Sequence, residues 1–291
     1  MTDTPSLVGL VILPSSNELA WRAAIGAAAR ESGWIFTKAS AAALQERAKP
    51  TIVLVNDLQS VPYDAADVWA VIGSTPEQAV AQTLARKPRP VSDVQRLCAA
   101  RFAMAATIIE QGGVLLDSGA DVMNLPRLGR VQITPSVETV ACDGVDPLAF
   151  YAAIPPVAGA KASWPTEVFN YTLGQEPVGG EPKIDLTGRG RILVHGPYLD
   201  LPKGWWRITV RFAVEPEDVA YLRFDWGAGQ DVTSYHSELR QAGEYQLVLD
   251  HLWTTVGPAE LRIWAERGHF LGRMTLSDCT VERLPDGEEL V

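Results

Sequence analysis

Apolar positions along this 291-residue chain follow two different rhythms. In the first half, apolar runs alternate with helical spacing. LVGLVIL at 7–13 is continuous and is bounded by Pro14, Ser15, Ser16 and Asn17, which predicts a buried strand running into a helix cap. The helix that follows is expected to pack on Leu19, Ala20, Ala23, Ala24, Ala27 and Ala28. Further strands are predicted at 34–36, 51–55, 68–72 and 114–116, with a short helix over 39–48 between the first two. Thr75, Pro76 and Gln78 have the spacing of a capping box with proline at the first helical position. Ser92 and Asp93 are expected to cap a longer helix carrying Val94, Leu97, Cys98, Arg101, Met104, Ala105 and Ile108 at helical spacing. A terminal hairpin or edge is expected over 131–134 and 137–141, ending this domain near Asp143. Strands alternating with helices imply an open, mostly parallel, Rossmann-like α/β domain over residues 1–150.

After residue 185 the rhythm becomes two. Trp206, Ile208, Val210, Phe212 and Val214 point one way; Trp205, Arg207, Thr209, Arg211 and Ala213 point the other. Leu222, Phe224 and Trp226 alternate in the same manner, as do Tyr245, Leu247 and Leu249, and then Leu261, Ile263 and Ala265. Residues 191–195 read as a strand, with turns at Gly196-Pro197 and 201–204, and Met274, Leu276 and Val281 supply a last pair of short segments. Many short strands with Gly- and Pro-containing turns predict an all-β antiparallel sandwich over 185–291.

The order HGPY, a short LP-K-G turn, WWRITVRF, LRFDWG and LRIWAERGHFLGRMTLSDCTVERL resembles jelly-roll domains related to the carbohydrate-binding modules that accompany bacterial polysaccharide enzymes. The resemblance covers roughly Asp185 to Leu284, and its motifs are structural: it implies the fold and a carbohydrate ligand, and carries over no binding signature.

Between the two regions, residues 151–184 hold Pro155, Pro156, Pro165, Pro177 and Pro182 with Gly159, Gly174, Gly179 and Gly180, the composition of a linker. Trp164, Phe169 and Tyr171 lie within the same stretch. Three aromatics that close together are seldom left in water, so this linker is expected to be ordered and to clamp the sandwich to the α/β domain.

Composition narrows the partners. A net charge of −10 opposes a nucleic-acid ligand. No apolar run approaches the roughly 20 residues that span a bilayer, and MTDTPS lacks the pattern of a secretory signal, so a cytoplasmic location is expected. Cys98, Cys142 and Cys279 are far apart and without metal-ligand spacing, and agree with a reducing compartment.

Signatures of catalysis are not found. There is no G-x-G-x-x-G, no phosphate-loop motif, no Asp-x-Asp after a strand and no G-x-S-x-G elbow. His195, His236, His251 and His269 are dispersed, and the carboxylates Glu215, Glu217 and Asp218 read as a solvated turn. No catalytic residue, metal ligand or cofactor is therefore assigned. Two sets of binding residues are. Ser15, Ser16, Asn17, Asp57, Ser74 and Thr75 fall at the carboxyl ends of predicted parallel strands, where an anion or nucleotide would bind. On the sandwich, parity turns Trp205, Arg207, Arg223, Asp225, Arg262 and Trp264 to the outer face, where indoles could stack on sugar rings and charged groups bind hydroxyls.

The expected function is that of a non-catalytic, carbohydrate-associated protein of bacterial polysaccharide or cell-envelope metabolism. Its partner would be a carbohydrate or sugar-containing small molecule. Two alternatives stand beside it: a transferase using a sugar nucleotide through the first domain, and a scaffold subunit with a protein partner.

Overall fold

The computed structural model describes residues 6–40, 49–56, 61–135, 145–172 and 182–287. The chain divides into two compact units, Met1–Val145 and Asp146–Val291.

The first unit is built on five parallel strands: β1 (Leu7–Ile12), β2 (Ile35–Lys38), β3 (Thr51–Leu54), β4 (Val68–Gly73) and β5 (Val114–Asp117). Their order is β2-β3-β1-β4-β5. This differs from the 3-2-1-4-5 order of a Rossmann sheet in that the second and third strands exchange places. Helix α1 (Glu18–Glu31) buries Trp21, Ile25 and Ala29 against Val8, Leu10 and Ile12, at i, i+4 spacing. Leu19, expected on that side, is 63% exposed, and Ala20, Ala24 and Ala28 only flank the contact. The two large side chains orient the helix, because the alanines offer too little apolar area to compete.

Helix α2 (Pro76–Arg86) begins with the expected capping box, Gln78 N–H to Thr75 Oγ1 and Thr75 N–H to Gln78 Oε1, both 3.3 Å. Helix α3 (Val91–Glu110) has Pro90 as its cap, so Ser92 and Asp93 lie inside its first turn. A hairpin of β6 (Val122–Leu125) and β7 (Gly129–Gln132) adds Met123, Leu125 and Val131 to the α1 core. The expected segments at 41–48 and 137–141, and the boundary near Asp143, lie outside the described residues.

The second unit is a sandwich of two antiparallel sheets, one from β10 (Lys183–Asp185), β12 (Gly204–Pro216), β15 (Gly243–Trp253) and β17 (Gly272–Arg283), with β8 (Lys161–Trp164) also on β17. The other runs β14 (Asp231–Leu239), β13 (Ala220–Ala228), β16 (Gly257–Ala265), β11 (Arg191–Leu201), β9 (Asn170–Tyr171). All five inward residues expected on β12 are buried. Across the interior Phe212 meets Phe224 at 5.0 Å, while Trp226 meets Trp253 at 4.9 Å and Trp164 at 5.7 Å between ring centroids.

Three local readings change. Gly196-Pro197 lies within β11 and not at a turn; the register irregularity falls at Tyr198, between Pro197 and Leu199, and Gly196 and Tyr198 are at positive φ. The strands β11 and β12 consequently belong to different sheets. The expected strands leave 227–244 unassigned, and Asp231–Leu239 within it form the edge strand β14. Finally, the described part of the 151–184 segment belongs to the sandwich. Trp164 is fully buried and donates its indole N–H to Pro147 O at 3.1 Å, and Phe169 packs on it at 6.3 Å. These aromatics therefore find their burial inside the second unit.

Candidate functional site

The outward residues of the sandwich do not share one face. Trp205 and Arg207 lie on β12, in the first of its two sheets, whereas Arg223, Asp225, Arg262 and Trp264 lie on β13 and β16, in the second. Parity within a strand separates inside from outside, but two sheets have two outsides.

On the second sheet, Asp225 is only 3% exposed and sits at the centre of a closed network. It accepts from Ser234 Oγ at 2.7 Å and from the Trp264 indole N–H at 2.9 Å, and pairs with Arg223 at 3.1 Å. The Arg223 guanidinium lies 4.6 Å over the Trp264 ring, on the face a sugar would need. Arg262 is engaged by Glu260 at 2.7 Å and by the carbonyl of Gly229. Glu260 also accepts from Tyr198, whose hydroxyl meets His195 Nδ1 at 2.7 Å. On the first sheet, Arg207 makes a bidentate pair with Asp250 at 2.7 and 2.8 Å. These side chains bond one another and link neighbouring strands.

The open concavity of the sandwich lies at the end where β10, β12 and β17 meet. It has a volume of about 400 Å³ and is lined by Asp185, Thr187, Glu215, Glu217, Leu271 and Arg273, together with Pro216 and Gly272. Register brings these together: Asp185 and Glu215 flank Arg273 from the strands on either side, and Pro216 pairs with Gly272. A second small concavity shares Glu215 and Arg273 and adds Lys183 and Thr275.

The rim is shaped by the loop between β16 and β17. His269 exchanges two backbone hydrogen bonds with Gly188, at 2.8 and 2.9 Å, which clamp the loop base. Beyond the clamp Phe270 is 92% exposed and Leu271 60% exposed. Gly272 then takes φ +142°, a value side chains rarely adopt, and returns the chain into β17.

Electrostatics favour hydroxyl binding here. Asp185 is held below the usual carboxylate range, first by the side-chain and backbone hydrogen bonds of Thr187 and further by Arg191 and Arg273. It stays ionised and accepts hydrogen bonds at neutral pH. Glu215 and Glu217 stand beside it as exposed acceptors and Arg273 as a donor. Among the described residues, no group of three or more His, Cys, Asp or Glu has the arrangement of a metal site.

In the first unit, the expected anion-site residues gather at the carboxyl ends of β1 and β4. Ser15 is 1% exposed and Asn17 donates its side-chain amide to Ser118 O at 3.1 Å. Ser74 follows β4, and Thr75 is committed to the α2 cap. Ser16 is half-buried in the turn before α1, and Asp57 lies outside the described residues.

No protein-family model matches this sequence, and no curated protein matches it. Solved structures similar to it include TmCBM61 in complex with β-1,4-galactotriose, with 9% identity, 42% of this chain and 88% of that chain covered, and a TM-score of 0.29. Another is the CBM22-1 xylan-binding domain from Paenibacillus barcinonensis Xyn10C, with 14% identity, 45% and 98% coverage and a TM-score of 0.29. A third is the glycosylation associate protein (Gap123) complex from Streptococcus agalactiae, with 10% identity, 86% of this chain and 50% of that chain covered, and a TM-score of 0.31.

Proposed function

We propose that this chain is a non-catalytic carbohydrate-binding protein whose sandwich receives a short stretch of glycan at the concavity between β10, β12 and β17. The observation that carries the reading is about 400 Å³ of space lined by Asp185, Thr187, Glu215, Glu217, Leu271 and Arg273, with the exposed Phe270 preceding Leu271 in the chain. A sugar ring has a flat C–H face and a rim of hydroxyls. Phe270 and Leu271 offer an apolar surface for the first, and the carboxylates and guanidinium offer acceptors and donors for the second. The volume lies within the range of small-molecule sites.

A binding role accords with the charge state of Asp185. A general acid for glycoside cleavage needs a raised pKa, and Asp185 is shifted the other way. The jelly-roll resemblance of 185–284 agrees with a carbohydrate ligand. It also suggests bacterial polysaccharide or cell-envelope metabolism as the setting, and we place the protein in the cytoplasm.

The test is glycan-array binding by the full chain, followed by Phe270→Ala and Glu217→Gln, both at exposed positions that leave the core intact. The reading expects a glycan signal from the unaltered protein and its loss, by about tenfold or more in affinity, in each variant. Absence of any glycan signal, or binding by both variants equal to that of the unaltered protein, contradicts it.

A further inference from the structure

The first unit holds a feature that sugar binding by the sandwich does not use. In the order β2-β3-β1-β4-β5, the chain leaving β1 crosses to β2 on one side, while the chain leaving β4 crosses to β5 on the other. The carboxyl ends of β1 and β4 therefore border the crevice at which open parallel sheets take ligands.

Two serine hydroxyls are buried at those ends. Ser15 Oγ follows β1 and Ser74 Oγ follows β4; each oxygen is buried, and neither has a hydrogen-bond partner among the described residues. A buried hydroxyl without a partner costs about 1–3 kcal/mol, and these two stand just after neighbouring strands.

The surroundings state which group suits these hydroxyls. Helix α1, 14 residues long, starts here with no side-chain cap; its first N–H, of Glu18, is taken by Ser15 O at 3.2 Å, and the positive end of the helix dipole lies at the crevice mouth. Ser118 donates its backbone N–H to Gly73 O at 3.3 Å and accepts on its carbonyl from the Asn17 amide and the Trp21 indole N–H, which fixes the start of α1 beside the end of β4. The buried Glu18 carboxylate is neutralised by Arg86 at 2.7 Å and Arg22 at 3.3 Å and does not repel an anion. No histidine precedes residue 195, so the serines have no imidazole base within their unit.

We infer that the β1/β4 crevice is a binding site for a phosphate group, held by the Ser15 and Ser74 hydroxyls and the N-terminus of α1. Donors from two loops and a helix end suit a tetrahedral oxyanion, which has acceptors on every side.

Phosphorus NMR of inorganic phosphate titrated with the full chain at constant ionic strength tests this, using Ser15→Ala and Ser74→Ala. Line broadening by the unaltered protein, weakened about tenfold in apparent affinity in each variant, is the expected result. Both variants should melt, without phosphate, at or above the temperature of the unaltered protein, because each removes an unsatisfied buried hydroxyl. Absence of broadening, broadening by both variants equal to that of the unaltered protein, or a lowered melting temperature in both would overturn the inference. Sandwich variants leave this readout unchanged, so its failure is separable from failure of glycan binding.

Discussion

The indole N–H of Trp264 is bonded to the carboxylate of Asp225 at 2.9 Å across 39 residues of sequence, and Arg223 covers the ring from outside. An outward tryptophan is thereby turned from a binding platform into a strap between β13 and β16. Asp225→Ala should destabilise the sandwich by about 3 kcal/mol, since it strands three donors around a buried position. Thermal unfolding checks this: a clear drop in melting temperature with glycan affinity preserved in the folded fraction is expected, and an unchanged melting temperature would contradict it.

Trp164 makes a similar point for the segment between the two regions. Its indole is fully buried against Trp226 and Phe169 and bonded to Pro147. Trp164→Ala should cost about 3–5 kcal/mol through the cavity it leaves. Limited proteolysis of the native protein should spare residues 161–172, and cleavage there should appear only in the variant.

Acid should weaken the second unit. Burial lowers the pKa of His251, with Asp231 opposing the shift, and burial with the Arg191 charge lowers that of His269. The folded state keeps both imidazoles neutral, whereas the unfolded chain takes up protons as pH falls through about 6.5. Between the depressed folded values and about 6.5 the unfolded state binds more protons, so stability falls with falling pH. Melting temperatures measured from about pH 7 down to about pH 5.5 should decline, and less steeply in His251→Gln. An identical slope in the variant would remove His251 from this account.

How much of this was legible in the residues varied with how asymmetric each strand's surroundings are. The strand β12 was readable because Trp206 to Val214 meet a core on one side and water on the other. The strand β14 was not, because an exposed edge imposes no alternation, and β8 was hidden among prolines and glycines. Parity placed Trp205 and Trp264 outside but could not say outside of which sheet, since pairing between distant strands is not written in either one. The concavity was invisible for the same reason. Asp185, Glu215 and Arg273 come from three strands joined only by register, and Glu215 with Glu217 looked like a solvated turn. In the first unit the strand ends and the Thr75 cap could be found locally, whereas the exchange of β2 and β3 could not.

The central claim, that glycan binds at the β10/β12/β17 end and not on the outer face of a sheet, is tested most directly by hydrogen exchange. The full chain would be compared with and without the glycan it captures. Protection of amides around 185–187, 215–217 and 269–273, with none added at 221–225 or 260–264, is the predicted result. Protection confined to 221–225 and 260–264 would put the ligand on the Asp225–Trp264 face and contradict the account.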